Sequence, residues 1–444
     1  MPVCQLPAHS LVVRIFLCLL TFGCCFATAS AQAQSADSEF VELFDGKSLK
    51  GWRARPHFDP RKEAAFTDEE RQQKQDEWTK ILKQHWSVDS ENAEIVSDGH
   101  GVFLTTEKEY GDFEFHVDWK MVQPNGDSGI YLRGCPQVQI WDPNNEKAHK
   151  HGADKGSGAL WNNGKEHPGK WPLVLADKPV GEWNNFRIRM IGSRVWVWFN
   201  DKLVVDGAVM DNFFDRSQPM FARGVIQLQT HGSETRFRNV RVREIDSQEA
   251  NTILAAIDDQ GFQSLFNGQD FDGWAGPTDK NKVVGGAIFS NHGTIYYDKE
   301  FTDFIAKFEF QLPPGGNNGL AVRYPGKGDT AYVGMCELQV LDSEHEKYAE
   351  LEERQFHGSA YGIVPAVRGY LREAGEWNFQ KVTVKGMQVT VELNGTIILD
   401  ADLSTVEEFL ADTPHPGLKN EKGFFGFAGH GDPVKYRNIR AKAL

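Results

Sequence analysis

Polar side chains that could do acid–base chemistry alternate with apolar ones in a short stretch near the middle of the second half of the chain. In CELQVLD, residues 336–342, Glu337 and Gln339 alternate with Leu338 and Val340. Successive side chains of a β-strand point to opposite faces. The pattern therefore places Glu337 and Gln339 on a face turned away from the core, where a carboxylate could act as a general base and an amide could bind hydroxyl groups.

The same alternation assigns further groups to that face. In the second half they are Arg323, from NGLAVR, and His430, from FFGFAGHG. In the first half they are Tyr131, Arg133, Gln137, Gln139, Trp141, Gln229 and His231. If these strands are neighbours, guanidinium, amide, imidazole and aromatic groups gather on one surface that suits a saccharide. An ordinary solvated sheet face is the alternative, although large aromatic residues are uncommon there.

Two loops that follow these strands contribute histidines and carboxylates. One begins at Asp142 and contains His151; the other begins at Asp342, contains His357 and ends at Tyr361. A histidine beside carboxylates could be a general base, a proton shuttle or a metal ligand, and it could also be merely exposed. No spacing is diagnostic of a metal site. A divalent cation is therefore a possible cofactor that the sequence leaves open.

The elements that must position these residues come in two collinear copies. LFDGKSLKGW at 43–52 returns as LFNGQDFDGW at 265–274, and GEWN occurs at 181–184 and again at 375–378. VWVWFNDKLVVD is answered by VTVELNGTIILD, and THGSETRFRNVRV by GHGDPVKYRNIRA, in the same order. The sequence thus predicts a duplicated domain.

The pattern within each copy predicts an all-β fold. Short alternating stretches are separated by Gly, Asn and Pro, which favours two tandem antiparallel β-sandwiches of the jelly-roll type. We place the first domain at 39–246 and the second at 261–444, joined by a helical linker at 247–260. A segment rich in helix formers at 56–85 has no counterpart in the second copy and predicts a small helical insert.

Composition and the N-terminus restrict the partners and the compartment. The net charge of −14 argues against a nucleic-acid partner, which would require a basic face. An apolar run followed by ATASAQAQS predicts a cleaved signal peptide over residues 1–33 and an exported protein, periplasmic or extracellular, without a transmembrane anchor. Cys135 and Cys336, one in each copy, are expected to be separate buried thiols, because pairing requires Cα atoms within about 6 Å.

Taken together, these motifs resemble those of the 3-keto-disaccharide hydrolase domain, formerly a domain of unknown function. The resemblance rests on LF[DN]Gx(3)[LF]xGW, [SN]GxxxR, [EQ]xQxxD, GEWN and HGx(4)[FY]RN[VI]R, and it covers both copies. It implies a concanavalin-like jelly roll and the cleavage of glycosides whose sugar has been oxidised at carbon 3. A lectin-like, non-catalytic carbohydrate-binding protein is the alternative, and an envelope scaffold is a third possibility.

The activity implied by the resemblance needs a base near carbon 2 and a group that stabilises the enolate oxygen. In the second copy it makes Glu337 or His357 the base, with Arg323 and His430 polarising the ketone. The residues that would bind hydroxyl groups there are Gln339, Asp342 and Tyr361.

The first copy departs from this pattern at the position of the base. Gln137 stands where the second copy has Glu337, which favours a binding role unless His151 or Asp142 substitutes. The saccharide-binding residues expected there are Tyr131, Arg133, Gln139, Trp141, Asp142, Gln229 and His231.

Overall fold

The computed structural model describes residues 39–444; the signal peptide predicted for residues 1–33 lies outside them and stays a prediction. The strands are β1 (Val41–Glu42), β2 (Trp52–Arg55), β3 (Trp86–Asp89), β4 (Glu94–Ser97), β5 (Phe103–Thr106), β6 (Phe113–Met121), β7 (Asp127–Leu132), β8 (Cys135–Trp141), β9 (Asn184–Ile191), β10 (Arg194–Phe199), β11 (Lys202–Val209), β12 (Gln227–Leu228), β13 (Thr235–Glu244), β14 (Gln263–Ser264), β15 (Trp274–Ala275), β16 (Lys282–Val284), β17 (Ala287–Phe301), β18 (Phe304–Gln311), β19 (Asn317–Tyr324), β20 (Cys336–Leu341), β21 (Trp377–Lys385), β22 (Gln388–Leu393), β23 (Thr396–Asp402) and β24 (Gly423–Ala443). The α-helices are α1 (Pro60–Ala64), α2 (Asp68–His85), α3 (Ser247–Ala256) and α4 (Thr330–Val333). Short 3₁₀ turns are Glu146–His151, Ala153–Lys155, Thr278–Lys280, Glu346–Tyr348, Glu353–Gln355, Leu403–Thr405, Leu410–Asp412 and Pro416–Lys419.

The first copy is a sandwich of two antiparallel sheets. One sheet has the order β11-β10-β9-β6-β13-β4-β3, with β1 beside β13, and the other has the order β2-β5-β12-β7-β8. Alternate residues of β6, β9 and β13, such as Phe115, Phe186 and Phe237, are completely buried between the sheets. The period of two in these strands thus builds the core, as the sequence predicted.

The second copy repeats this arrangement with longer strands. β24 pairs with β19 through its first half and with β18 through its second half, and β17 follows β24 through both halves. These two strands bend from one layer into the other, so both layers belong to one hydrogen-bonded sheet. A second core, with Phe308, Phe427 and Tyr436 at its centre, fills the space between the layers. The prediction of two tandem all-β jelly-roll sandwiches is confirmed.

The segment that only the first copy contains is helical. Asp59 caps the N-terminus of α1, and Thr67 and Glu70 form a capping box at the start of α2. Trp78 and Leu82 are the buried residues of α2. Both belong to the core cluster of the first copy, so the insert is packed onto the sandwich.

The two copies touch through the linker helix and through a buried ion pair. Leu254 of α3 packs in one cluster with Trp196 of the first copy and Phe379 of the second. The guanidinium of Arg194 donates to Glu392 across the boundary, at 2.5 Å from Nε to Oε1 and 2.8 Å from Nη2 to Oε2. Burial opposes ionisation of Glu392, but these hydrogen bonds prevail and hold its pKa below the usual value.

Cys135 and Cys336 are both buried and unpaired, as expected. Burial raises the pKa of each thiol to about 12, so both stay protonated.

Over residues 39–444, none of the helices combines the length and the apolar character that crossing a bilayer would take.

Candidate functional site

The polar residues of the second copy lie on the layer built from β19, β20 and the adjoining halves of β17 and β24. Gly319 of β19 pairs with Gln339 of β20 on one side and with Ala428 of β24 on the other. Directly paired residues point the same way, so Glu337, Gln339 and His430 share the face that turns away from the core. We call this face, which carries Gly319, Glu337, Gln339, Ala428 and His430, the site face.

Glu337 and His430 meet on the site face as a carboxylate–imidazole pair. Nε2 of His430 lies 3.4 Å from Oε1 of Glu337. Glu337 is only 3% exposed, whereas the imidazole is 43% exposed, so the pair joins a buried carboxylate to a group that solutes can reach. The arrangement has the parts of an acid–base pair.

The environment shifts the pKa of both partners upward. Burial raises the pKa of Glu337, and the hydrogen bond with His430 opposes this. The hydrogen bond with Glu337 raises the pKa of His430, with burial acting against it. A carboxyl group with a raised pKa is a stronger base when it is ionised than an exposed one.

The space for Glu337 exists because residue 319 has no side chain. A Cβ atom on Gly319 would lie 2.1 Å from Oε1 and 2.3 Å from Cδ of Glu337. The carboxylate therefore lies directly against the backbone of β19. The sequence NGLAVR gave no sign of this contact.

Gln339 lies on the site face, as its place in the strand predicted, and Tyr361 belongs to the loop beside it. Nε2 of Gln339 donates to Oδ1 of Asn317 at 2.8 Å, and the backbone of Asn317 donates to Asp432 at 3.0 Å. The segment that contains Tyr361 runs beside β20, with the Tyr361 amide donating to the carbonyl of Glu337 at 2.9 Å. Gln339 thus shares the face of Glu337 and His430, and the backbone of Tyr361 runs beside Glu337.

Sequence reasoning missed the residues that cover Glu337 from above. Helix α4 packs on β19 and β20 and brings Asp329, Thr330 and Tyr332 to the site face. The hydroxyl groups of Thr330 and Thr294 are 2.7 Å apart, which places the helix over the sheet. The available signal was the spacing between NGLAVR and CELQVLD, which is much longer than in the first copy.

The predicted positions of Arg133 and Arg323 on this face are wrong. Both have left-handed backbones, with φ of 51° and 46°, so each side chain leaves the alternation of its strand. Arg133 donates to the carbonyls of Gly111, Gly192 and Phe221. Arg323 donates to the carbonyls of Thr302 and Asn420 and to Asp303. The two guanidiniums tie loops together, and Arg323 is not placed to polarise a ketone.

His357 does not lie beside Glu337. Its ring stacks on the core residue Phe310, with centroids 5.1 Å apart, and its Nε2 lies 3.1 Å from Oε1 of Gln380. Complete burial lowers the pKa of His357 to about 3. This histidine is therefore a neutral core residue at neutral pH, and its assignment as the base is wrong.

The aspartates that end β8 and β20 are turn residues. Asp142 accepts from the amides of Asn125 and Asn144, and Asp342 accepts from the amide of Gly315. Such bonds to backbone donors shape a loop, and they leave no sign that Asp142 or Asp342 binds a sugar. His151, the other candidate of the first copy, is an exposed residue of a 3₁₀ turn.

On the corresponding face of the first copy, large side chains replace small ones. Tyr131 stands where the second copy has Ala321, and Gln227 and Gln229 stand where it has Gly426 and Ala428. The buried residues of this face are Arg55, Tyr131, Gln137, Gln139, Gln227 and Gln229.

The helical insert closes over this face. His57 lies 3.1 Å from the hydroxyl of Tyr131 and packs against Phe213 and Phe214. Gln137 donates to Gln139 instead of facing an imidazole. The first copy thus has neither the acid–base pair nor an open face.

Two further candidates of the first copy are Trp141, which was expected to be exposed, and His231. Trp141 is 5% exposed, and its indole donates to the carbonyl of Gly156 at 2.8 Å, so it cannot stack on a sugar as it stands. His231 is exposed and lies 3.4 Å from Asp127, which raises the pKa of the imidazole. His231 therefore occupies the position of His430 with a different carboxylate as its partner.

No set of three or more His, Cys, Asp and Glu side chains in the described part of the chain is arranged to hold a metal ion. The pair of Glu337 and His430 is too small a set of ligands to define a metal site. We therefore assign no site to the divalent cation that the sequence left open.

Comparison with known proteins extends the picture. The family model of the 3-keto-alpha-glucoside-1,2-lyase-like domain matches the sequence twice, at residues 39–243 and at residues 261–442. The 3-keto-disaccharide hydrolase of Bacteroides thetaiotaomicron is 26% identical over 246 residues, which cover 46% of this chain and 85% of that protein. Two crystal structures from Parabacteroides distasonis, provisionally described as glycosyl hydrolases, are 24% and 23% identical, both with a TM-score of 0.38. They cover 41% and 45% of this chain and 99% and 98% of their own.

Proposed function

This chain belongs to the 3-keto-alpha-glucoside-1,2-lyase-like domain family and is a glycoside hydrolase-like protein, and we propose that its second copy cleaves 3-keto-glycosides. The relative named a 3-keto-disaccharide hydrolase supports the substrate class. The pairing of Glu337 with His430 supports the assignment of the second copy as the catalytic one.

The reaction proceeds by elimination followed by hydration. The ketone at carbon 3 acidifies the hydrogen on carbon 2, and the carboxylate of Glu337 removes this proton. The electron pair forms the C1=C2 double bond as the bond from carbon 1 to the glycosidic oxygen breaks, and the aglycone leaves as an alcohol after taking up a proton. Water then adds its hydroxyl group to carbon 1 and a proton to carbon 2, so that the net result is hydrolysis.

The residues of the site face divide this work between them. Glu337, whose pKa burial raises, is the base. The imidazolium of His430 stabilises the enolate oxygen that develops from the ketone, because a charged donor at that point is worth more in the transition state than in the ground state. Gln339 and Tyr361 bind hydroxyl groups at the rim of the site. This differs from ordinary glycosidases, which need two carboxyl groups on either side of the bond.

The proposal is tested by incubating the purified protein with a 3-keto-glucoside and following release of the aglycone. Glu337→Gln keeps the shape of the side chain and removes the base, so release should fall by at least about 10²-fold. Wild-type protein that binds the sugar without releasing the aglycone would favour the lectin-like alternative.

A matched pair of histidines separates the role of the second copy from that of the first. His430 and His231 are both exposed, both precede a glycine, and both lie 3.4 Å from a carboxylate. His430→Asn should lower kcat by about 10²-fold, whereas His231→Asn should leave it unchanged. Equal losses in both variants would contradict the assignment to the second copy.

A further inference from the structure

The two copies also differ in the hairpin that joins β7 to β8 in the first copy and β19 to β20 in the second. In the first copy Gly134 alone separates Arg133 from Cys135, whereas in the second copy residues 324–335 separate Arg323 from Cys336. Both arginines have the same left-handed backbone. The two hairpins therefore begin alike, and residues 324–335 are an addition to the second copy.

This addition lies on the site face and covers the proposed base. Thr330 and Ala331 of α4 are 3% and 6% exposed, and Ala321 beneath them is completely buried. Glu337 is 3% exposed. A sugar that must place its carbon 2 hydrogen against this carboxylate cannot do so while the helix keeps this position.

The covering segment packs on β19, β20 and the turn at Pro416–Lys419, but it adds little to the apolar core. Residues 325–334 contribute no side chain to the hydrophobic core clusters, which resume at Met335. Side-chain hydrogen bonds tie it at four points: Thr330 with Thr294, Ala331 with His415, Val333 with Asn420 and Gly328 with Tyr324. Segments with few buried apolar contacts open at a low cost in free energy.

Glycines stand where such a movement needs a flexible backbone. Gly326 and Gly328 have φ of 87° and 92° on one side of α4, and Gly334 lies on the other side. Residues at the ends of a mobile loop absorb the change in backbone angles on opening and closing. The core contact of Met335 then marks the point beyond which the chain stays fixed.

We propose that residues 325–334 form a substrate lid that opens to admit the saccharide to Glu337 and closes with Tyr332 against it. This inference rests on the proposed function. Tyr332 is the part of the lid suited to a sugar, since it is half-buried and its ring packs at 5.1 Å from that of His415 at the edge of the site face. The first copy lacks this segment, and His57, Phe213 and Phe214 cover the corresponding face instead.

A reversible disulfide tests the lid. The hydroxyl oxygens of Thr294 and Thr330 are 2.7 Å apart, so Thr294→Cys combined with Thr330→Cys can join the lid to β17. Aglycone release should fall by about 10-fold or more in the oxidised protein and recover on reduction. An oxidised protein, with its disulfide verified by mass spectrometry, that turns over like the reduced one would overturn the proposal.

A second measurement does not depend on turnover. Labelling of Glu337 by a water-soluble carbodiimide with an amine should be about 10-fold slower in the oxidised than in the reduced variant. Glu344, whose side chain is 61% exposed, should label equally in both and serves as the control. Equal labelling of Glu337 in the two states refutes the lid, whereas wild-type protein that labels as expected yet releases no aglycone refutes only the proposed function.

Hydrogen exchange covers the case in which the disulfide does not form. Backbone amides of residues 329–334 should exchange faster than those of β20 in the wild-type protein, and bound 3-keto-glucoside should slow them. Protection equal to that of β20 would contradict a mobile lid. The contact with sugar is tested by Tyr332→Ala, which should raise KM by about 10-fold with little change in kcat, while Tyr332→Phe should retain most of the affinity.

Discussion

A single added methyl group on the strand beneath the proposed base should disable the second copy. In Gly319→Ala the new Cβ would lie 2.1 Å from Oε1, 2.3 Å from Cδ and 2.6 Å from Cγ of Glu337. Contacts this short do not occur between real atoms, so the carboxylate must move by about 1 Å. A misplacement of that size costs about 10²-fold in rate, or about 2.7 kcal/mol of transition-state stabilisation. Gly319 lies in a regular strand and needs no left-handed angle, so the alanine adds no backbone strain.

The first copy provides a matched control for this substitution. Gly129 occupies the same strand position, and a Cβ there would lie 2.7 Å from Cδ and Oε1 of Gln137. Gly129→Ala therefore crowds a neighbouring side chain in the same way without touching the proposed base. We expect kcat/KM for a 3-keto-glucoside to fall about 10²-fold in Gly319→Ala and to stay within about 2-fold of wild type in Gly129→Ala. Thermal unfolding of both variants measures what the crowding costs in stability.

Two results would refute the reasoning. Full activity of Gly319→Ala would mean that the position of Glu337 is irrelevant to the reaction, and an equal loss in both variants would mean that the effect is a general loss of structure. A loss confined to Gly319→Ala, with similar melting temperatures, would support Glu337 as the base.

Three other predictions concern charge and pH. The hydrogen bond with His430 lowers the pKa of Glu337, so in His430→Asn the ascending limb of kcat/KM against pH should move to higher pH. A limb that stays in place would argue against the pairing. The pKa of His357 is lowered to about 3 in the folded protein, so as pH falls the unfolded chain binds a proton here before the folded chain does, and stability is lost from about pH 6.5 downward. Between pH 7 and 5 the free energy of unfolding, measured with urea, should therefore drop by about 2 kcal/mol more in wild type than in His357→Gln. Arg194→Ala leaves Glu392 buried without its main partner and should cost about 3 kcal/mol, most of which Arg194→Met combined with Glu392→Leu should restore; the urea midpoint measures both.

Much of the fold could be predicted from the sequence because it is local and repeated. Alternation with a period of two shows which side chains of a strand face the core of the sandwich, and repetition of the same motifs in the same order shows that the domain occurs twice. For regular strand residues such as Glu337, Gln339 and His430 the alternation gave the correct face. Arg133 and Arg323 broke the rule because one left-handed residue redirects a side chain, and no feature of the strand pattern marks that angle in advance.

The environment of each site residue was beyond the reach of the pattern. His357 follows a strand and stands near carboxylates in sequence, yet the chain turns it into the core, where burial removes its basicity. Tyr131 and Trp141 looked like exposed aromatic platforms, but a helical insert and a loop from elsewhere in the chain bury them. Burial of this kind depends on what packs on top of a strand, which alternation within the strand does not describe.

By itself, the sequence determined the number of copies, their all-β class, the segment that only the first copy contains and the strand faces of the regular residues. Tertiary structure alone decided that Glu337 faces His430 across Gly319, that α4 packs over the buried Glu337 and that the first copy has its face filled. The physical reason is that the first set depends on the periodicity of neighbouring residues. The second set depends on contacts between segments that are far apart in the sequence, such as the 93 positions between Glu337 and His430, and the chain brings them together only by folding.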